Sequence, residues 1–324
     1  MKAIVCNEFS ELENLALSDV ESPQAKAGQV VLNIEAAGVN FPDGLLVQGL
    51  YQMKPPTPFI PGSEVAGTVA TLGEGVTHLK EGQRVVCFCM LGGFAEQVAV
   101  DARMVMPLPQ EIASTEAAGL LTAHATAHHA LRQRGNLAAG ETLLVTGAAG
   151  GTGLAAIQIG KAIGANVIAV CSSDEKLAIA QENGADILIN SSEVDVKSTL
   201  KSVTEGKGVD VAYDCVGGEL FNACLSNMAW NGRLLVVGFA SGDIPKVSVN
   251  LTLVKGCSVV GVFWGTFTQK QPKDFMLNMH ELLQWYQEGK VKVVIDEIFE
   301  LSATVNAINK LMSRKVKGKV IITP

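Results

Sequence analysis

Residues 142–170 read TLLVTGAAGGTGLAAIQIGKAIGANVIAV, and this stretch decides the fold. An apolar run with β-branched residues ends at Thr146, a glycine-rich turn follows, and a helical pattern then leads into a second apolar run. This order is typical of a strand–loop–helix–strand unit whose glycines lie where the strand passes into the helix. Glycine lets the backbone approach a bound pyrophosphate, and the free N–H groups of the helix N-terminus bind its charge. The stretch therefore predicts a dinucleotide-binding site.

The glycines of this turn do not form a perfect GxGxxG motif. Read from Gly147 they give GxxGxxG, and read from Ala148 they give AxGxxG. The GxGxxA pattern that starts at Gly151 begins too late after the strand. The alternative is an incidental glycine-rich turn, so the prediction depends on the strand and the helix that flank it.

The composition limits the classes of function. The chain has 324 residues, 48% of them hydrophobic and 18% charged, with a net charge of −7. This length suits two domains of a compact soluble protein. The lack of a basic stripe argues against a nucleic-acid partner, and no apolar run is long enough to span a bilayer. Because the N-terminus has no apolar signal segment, we expect a cytoplasmic protein whose seven cysteines are free thiols.

Strand and helix patterns alternate after Thr142. Apolar strands are predicted at 142–146, 166–170, 186–190, 209–214, 233–238 and 257–263, with amphipathic stretches between most of them. Six strands with intervening helices predict a doubly wound parallel sheet.

The first ~120 residues instead show short strands separated by turns, which predicts a mainly β unit. The strands expected there are Lys2–Cys6, Val30–Val39, Glu64–Thr71, Arg84–Cys89 and Ala95–Val100. A helix from Glu116 to Arg134 is expected to connect the two parts of the chain. The segment after Gly265 is too short for a third domain, so we expect it to complete the first.

Five motifs follow one another along the chain: GVNFPDGLL, PGSEVAG, TAHATAHHAL, GAAGGTGLAAIQIGKAIGA and the ending GKVIITP. Together they resemble the medium-chain dehydrogenase/reductase superfamily over essentially the whole chain, and most closely its zinc-free quinone oxidoreductases. The resemblance implies an α/β protein with a doubly wound parallel (Rossmann) sheet and a mainly β GroES-like catalytic domain. It predicts the GroES-like domain at 1–122, completed by 266–324, and the dinucleotide-binding domain at 123–265.

Zinc-dependent members of this superfamily bind catalytic zinc through two cysteines and a histidine. Asn40, Ser63 and Thr122 occupy the matching positions here, and neutral amide and hydroxyl groups are poor ligands for Zn²⁺. The cysteine block that holds structural zinc is also absent, so we expect no metal. His124 and His128, spaced i, i+4 on a helix, are an alternative pair of ligands that lacks a third.

Without zinc, the acceptor must itself accept hydride readily, as quinones and alkenes conjugated to a carbonyl do. The resemblance places Asn40 near the nicotinamide, where its amide can donate a hydrogen bond to negative charge that develops on oxygen. The alternative is that Asn40 caps the helix that begins at Phe41. Asp43 is expected to fix local structure, and Tyr51 either lines the pocket or is simply packed. Leu45 replaces a tyrosine of part of the quinone-reductase branch, which leaves the preferred acceptor open.

The residues that follow the second strand of the parallel sheet indicate the cofactor. NAD sites place an acid there, whereas this chain has Ser172 and Ser173, with Lys176 one helical turn on. Two hydroxyls and a cation suit a 2′-phosphate, so we predict NADPH. The alternative makes a serine the N-cap and Lys176 a solvated helix residue, and Asp174 complicates the prediction.

The residues and the resemblance together imply a set of cofactor contacts along the chain. They are Asn40, Thr122, Thr126, Ala149, Gly150, Gly151, Thr152, Ser172, Ser173, Lys176, Cys215, Gly238, Phe239, Phe263, Trp264 and Gly265. Cys215 and the last five residues of this list, from Gly238 to Gly265, lie at the carboxyl ends of predicted strands. Doubly wound parallel sheets bind their cofactors at these strand ends. In this superfamily the edge strand, here Cys257–Phe263, pairs with its twin, so we expect a homodimer.

These observations predict a zinc-free, NADPH-dependent reductase of quinones or other α,β-unsaturated carbonyl compounds. The cofactor is expected between the two domains, and water is expected to protonate the product. A 2-alkenal or enoyl-thioester reductase is the closest alternative among enzymes. A weakly catalytic NADPH-binding protein is the alternative from another class, because function lies in the site and not in the fold.

Overall fold

The computed structural model describes residues 1–324, which form fifteen β-strands and ten α-helices. The strands are β1 (Lys2–Val5), β2 (Ala16–Asp19), β3 (Gln29–Val39), β4 (Glu64–Leu72), β5 (Arg84–Phe88), β6 (Gln97–Asp101), β7 (Val105–Pro107), β8 (Thr142–Thr146), β9 (Asn166–Cys171), β10 (Ile187–Asn190), β11 (Val209–Asp214), β12 (Met228–Val236), β13 (Ser258–Gly261), β14 (Ile295–Glu300) and β15 (Lys319–Thr323). The helices are α1 (Phe41–Val47), α2 (Ser114–His128), α3 (Gly151–Ile163), α4 (Asp174–Glu182), α5 (Val196–Val203), α6 (Gly218–Ser226), α7 (Val249–Lys255), α8 (Trp264–Lys270), α9 (Pro272–Gln287) and α10 (Thr304–Met312). None of these helices is both long and apolar enough to cross a membrane.

The chain forms two compact units. The first unit is Met1–Thr122 together with Ile295–Pro324, and the second unit is Ala123–Val294. The expectation that all of 266–324 completes the first unit is therefore wrong for residues 266–294. The reason is the buried face of α9, because Phe275, Met279 and Leu282 recur at helical spacing and must be covered within the second unit.

The first unit is built on a mainly antiparallel sheet. Its strand order is β14-β15-β3-β4-β5-β7, with β6 also paired to β3, and only the β14–β15 pair is parallel. The long strand β3 pairs with β15, β4 and β6, and its residues Val30, Leu32 and Ala37 are fully buried. The predicted mainly β GroES-like domain is confirmed.

The second unit contains a six-stranded parallel sheet in the order β10-β9-β8-β11-β12-β13. Leu143, Leu144 and Val145 of β8 have no exposed surface, as expected for a central strand that is covered on both faces. The predicted doubly wound parallel sheet is confirmed. The strand predicted at 257–263 is the edge strand β13, which is shorter, at Ser258–Gly261.

Candidate active site

The glycine-rich loop connects β8 to the N-terminus of α3. Gly147 has a φ of +61°, and Gly150 is the N-cap of α3. A Cβ atom on Gly153 would lie 2.4 Å from the carbonyl oxygen of Gly147, so this close packing of helix on loop requires glycine. A Cβ atom on Gly150 would meet nothing nearer than that oxygen, at 3.4 Å. The first turn of α3 therefore presents its free N–H groups beside open space, and these residues fit a bound pyrophosphate.

Asp214, the last residue of β11, organises the adjacent loop. Its Oδ1 accepts a hydrogen bond from Thr146 Oγ1 at 2.5 Å, and its carboxylate accepts the backbone N–H groups of Val216 and Gly217 at 3.1 and 3.2 Å. Burial raises the pKa of Asp214. Sequence reasoning missed this residue, and the available signal was an acid at the end of an otherwise buried strand.

The loops after β11 and β12 are hydrogen-bonded to each other. Ala240 donates its N–H to the carbonyl oxygen of Cys215 at 3.0 Å, and the Cys215 thiol donates to the carbonyl oxygen of Thr146 at 3.1 Å. The predicted contacts Cys215, Gly238 and Phe239 are thus brought to the carboxyl end of β8. Burial raises the pKa of the Cys215 thiol to about 12, so this cysteine is not a reactive thiolate.

The segment after β9 agrees in part with each of its two sequence interpretations, a site for a 2′-phosphate and a serine N-cap followed by a solvated lysine. Ser173 is the N-cap of α4, and its Oγ accepts the N–H of Lys176 at 3.4 Å. Ser172 is exposed and Lys176 is partly exposed. The carboxylate of Asp174 accepts a hydrogen bond from Asn190 Nδ2 at 2.8 Å, so this acid is engaged by a neighbouring loop.

The remaining predicted contacts of the second unit differ in exposure. Phe263 is 53% exposed, whereas Trp264 is 5% exposed and packs edge-on against Phe275 with 5.9 Å between ring centroids. The Trp264 indole is therefore part of the core, whereas the sequence predicts Trp264 as a cofactor contact. Ala149 is also buried, and Thr126 is partly exposed on α2.

A buried polar cluster lies at three strand ends of the first unit. β15 and β4 both pair with β3, and their registers bring Lys319 and Glu64 beside Asn40, which follows the last residue of β3. Asn40 is 8%, Lys319 4% and Glu64 0% exposed. Sequence reasoning assigned no role to Lys319 or Glu64, although a charged residue in each otherwise apolar segment was a signal.

Hydrogen bonds connect all members of this cluster. Lys319 Nζ donates to Glu64 Oε1 at 2.7 Å, to Asn40 Oδ1 at 2.8 Å and to the carbonyl oxygen of Val39 at 3.1 Å. Asn40 Nδ2 donates to Glu64 Oε1 at 2.8 Å, and Glu64 Oε2 accepts the N–H of Thr122 at 2.7 Å. A Cβ atom on Gly38 would lie 2.2 Å from Glu64 Oε1, so the carboxylate occupies space that only glycine leaves free.

Asp43 holds the start of α1. Its Oδ2 accepts the backbone N–H of Asn40 at 2.7 Å, which is the local structural contact predicted for it. Burial raises the pKa of Asp43 to about 7, although Lys319 opposes this shift. Asn40 occupies the N-cap position of α1, and because its side chain also bonds to Lys319 and Glu64, helix capping describes only part of its contacts.

Two other predicted residues of the first unit are partly buried. Thr122 Oγ1 is buried and has no hydrogen-bond partner, which costs free energy unless a ligand satisfies it. Tyr51 packs against the core of the first unit, and burial raises the pKa of its phenol.

No group of three or more His, Cys, Asp and Glu side chains that could hold a metal ion occurs among residues 1–324. His124 Nε2 lies 3.4 Å from Gln158 Oε1, and His128 Nε2 lies 2.7 Å from Glu281 Oε2, so these histidines face different partners. All seven cysteines are free thiols.

Comparison with known proteins agrees with this architecture. Residues 26–110 match the alcohol dehydrogenase GroES-like domain, and residues 151–300 match the family described as zinc-binding dehydrogenase. A quinone oxidoreductase-like protein 2 homolog from Nematostella vectensis is 38% identical over 99% of this chain and 88% of its own length. This chain belongs to the medium-chain dehydrogenase/reductase superfamily, among its quinone oxidoreductase-like members. It is therefore an oxidoreductase.

Two solved structures of this superfamily show the same fold over the whole chain. A probable oxidoreductase from Mycobacterium abscessus is 37% identical with a TM-score of 0.90, covering 100% of this chain and 99% of its own. A quinone oxidoreductase from Escherichia coli, solved in complex with NADPH, is 28% identical with a TM-score of 0.94, and all of both chains is covered.

Proposed function

We propose that this protein is an NADPH-dependent reductase that transfers hydride to quinones or other α,β-unsaturated carbonyl compounds without zinc. The observation that carries the proposal is the open N-terminus of α3, where Gly150 and its neighbours leave room for a pyrophosphate. The NADPH complex of the Escherichia coli relative supports the cofactor. The name of the Nematostella vectensis relative supports the class of acceptor.

The segment after β9 favours NADPH over NADH. Exposed Ser172 and partly exposed Lys176 offer a hydroxyl and a cation to a 2′-phosphate. The acid that would accept ribose hydroxyls in an NAD site has no counterpart before Asp174, whose carboxylate is already engaged by Asn190.

NADPH supplies the hydride when it is bound, and the chain must position the acceptor and stabilise the charge that develops on its oxygen. One hydrogen of Asn40 Nδ2 is donated to Glu64, whereas the contact of Nδ2 with the carbonyl oxygen of Gly38 is long, at 3.4 Å. We assign the second amide hydrogen to the acceptor oxygen. Thr122 Oγ1 is buried without a hydrogen-bond partner, so its hydroxyl is a further group that can hydrogen-bond to a ligand.

Zinc independence follows from the residues that replace the ligands. The Lys319 ammonium lies 2.8 Å from Asn40 Oδ1, so a cation already occupies the side where this amide would coordinate a metal. We therefore expect full activity after exhaustive chelation and no stoichiometric zinc in elemental analysis. One zinc ion per chain in the active protein would overturn this part of the proposal.

A screen of acceptors tests the proposed function. Loss of NADPH absorbance is followed with benzoquinone, a 2-alkenal and an enoyl-CoA, and we expect the quinone to react fastest. A faster enoyl-CoA or alkenal would favour the 2-alkenal or enoyl-thioester reductase. Tight NADPH binding without turnover of any acceptor would favour the weakly catalytic NADPH-binding protein.

We also propose that the protein is a homodimer that pairs through the edge strand β13. The second unit exposes apolar side chains near this part of the chain, with Leu253 81%, Val254 72% and Trp230 74% exposed. An unpaired strand edge and exposed apolar surface both favour association. The cytoplasmic location stays a prediction.

A further inference from the structure

Asn40 is held by two charged groups of opposite sign. The Lys319 ammonium has only hydrogen-bond donors and contacts Oδ1, whereas the Glu64 carboxylate has only acceptors and contacts Nδ2. Rotating the amide by half a turn would set its oxygen against the carboxylate and its NH₂ group against the ammonium. Only one of the two orientations therefore forms both bonds, and it directs the remaining amide hydrogen in one direction.

The ion pair itself is an expensive way to stabilise strands. Glu64 and Lys319 are almost completely buried, and burying two charges costs free energy that their mutual attraction only partly offsets. An apolar pair of similar volume commonly stabilises a core as well or better. The bonds of this pair are instead directed at Asn40 and at the N–H of Thr122, two residues of the proposed site.

We propose that Lys319 and Glu64 are positioning residues that set the orientation of the Asn40 amide for hydride transfer. The inference rests on the proposed function, because Asn40 is taken as the donor to the acceptor oxygen. Neither residue touches the acceptor in this proposal. Each acts through Asn40, so its contribution to turnover disappears when the Asn40 amide is absent.

A double-mutant cycle tests this dependence. The variants are K319M, E64Q, N40A, N40A/K319M and N40A/E64Q, with K319R as the conservative change and K310M as the matched control. Lys310 is another ion-paired lysine of the first unit, bonded to Asp296 and Glu297 away from this cluster. For each variant kcat and KM for benzoquinone, Kd for NADPH and Tm are measured.

We expect K319M and E64Q each to lower kcat about tenfold while Kd for NADPH changes less than about twofold, because the lost interaction acts in the chemical step. K319R should recover part of kcat, and K310M should leave it unchanged. N40A/K319M and N40A/E64Q should turn over no more slowly than N40A. Rate losses that multiply in the double variants would overturn the inference, whatever happens to Tm. E64Q retains side-chain volume and keeps the test informative if K319M does not fold.

A second measurement separates this inference from the proposed function. The side-chain amide resonance of Asn40 is identified by its loss in N40A, and its hydrogen exchange is measured without any acceptor. We expect slow exchange in the wild type and K310M, and faster exchange in E64Q and K319M. Unchanged exchange contradicts the positioning role even if the enzyme is active. If the wild type reduces no acceptor, the proposed function fails while this measurement still decides the orientation.

Discussion

The ionisation of Asp43 couples the stability of the first unit to pH. Burial raises the pKa of Asp43 from 3.8 to about 7 in the folded chain. Below pH ~4 the carboxyl is protonated in both states, and between pH ~4 and ~7 only the folded state keeps the proton. The contribution of this group to stability is therefore fully present at low pH and is lost as the pH rises through about 7.

Asp43→Asn removes this dependence, because an amide does not ionise and still accepts the N–H of Asn40. We expect the free energy of unfolding of the wild type to fall relative to that of D43N between pH ~4 and ~7, by on the order of 4 kcal/mol. Above that range the difference between the two proteins should stay constant. Urea unfolding across this pH range measures the difference. D174N, a change at an exposed carboxylate, is the control, and identical pH profiles for the wild type and D43N would contradict the shift.

Lys176 is the residue on which the proposed preference for NADPH over NADH depends. Loss of a charge-assisted bond to a phosphate costs ~1.5–3 kcal/mol, so Lys176→Ala should weaken NADPH binding about tenfold or more and barely change NADH binding. Fluorescence titration with both nucleotides measures this. Lys201→Ala, at an exposed lysine of α5, is the control. Equal affinities of the wild type for NADPH and NADH would contradict the assignment of Lys176 to the 2′-phosphate.

Gly150 in the loop between β8 and α3 and Gly153 in the first turn of α3 have different surroundings. Gly153 packs against the loop, since a Cβ atom would lie 2.4 Å from the Gly147 carbonyl oxygen and 2.8 Å from Ala148 Cα. Gly150 has an ordinary backbone conformation, with a φ of −75°, and space around its Cα. The close packing of α3 on the loop therefore requires glycine at 153, whereas glycine at 150 is proposed to give a ligand access to the backbone.

Gly150→Ala and Gly153→Ala should separate these roles. We expect G153A to lower stability by roughly 1–3 kcal/mol, as overpacking does, and G150A to change it by less than about 1 kcal/mol. G150A should nevertheless weaken NADPH binding, because its methyl group would take up part of the open space where the pyrophosphate is proposed to bind. Tm and Kd for NADPH are measured on both variants. Normal NADPH affinity in G150A would show that the phosphates bind elsewhere.

At the level of the whole molecule, the proposed homodimer depends on the edge of the parallel sheet. Strand β13 has a neighbour on one side only, and Val260 lies within it. Val260→Lys should give a monomer, because a charge on an edge strand opposes pairing with a second copy. Sedimentation measures the mass. Leu17→Lys, on the exposed face of β2 in the first unit, should leave the dimer intact. A monomeric wild type or a dimeric V260K would overturn the proposed interface.

The sequence alone was sufficient for features that depend on short-range pattern. The unit β8–α3–β9, the order of strands and helices in the second unit and the glycine loop all follow from apolar periodicity and turn residues within about thirty positions. Asn40 was found through its motif, and its position at the start of α1 was one of the two alternatives considered. Local patterns predict such elements because the spacing of apolar residues, about 3.6 in a helix and 2 in a strand, sets which face each element can bury.

Only the tertiary structure decided which distant groups meet. Lys319 bonds to Asn40, 279 positions away in the chain, and to Glu64, 255 positions away. The residues that flank Lys319, Asn40 and Glu64 in the sequence do not indicate that these three side chains meet. Asp214 acquired its role through loops from separate strands, and residues 266–294 joined the second unit through the buried face of α9. These contacts depend on the register of the paired strands and on which helix or sheet each apolar face packs against. Both are set only when the whole chain folds.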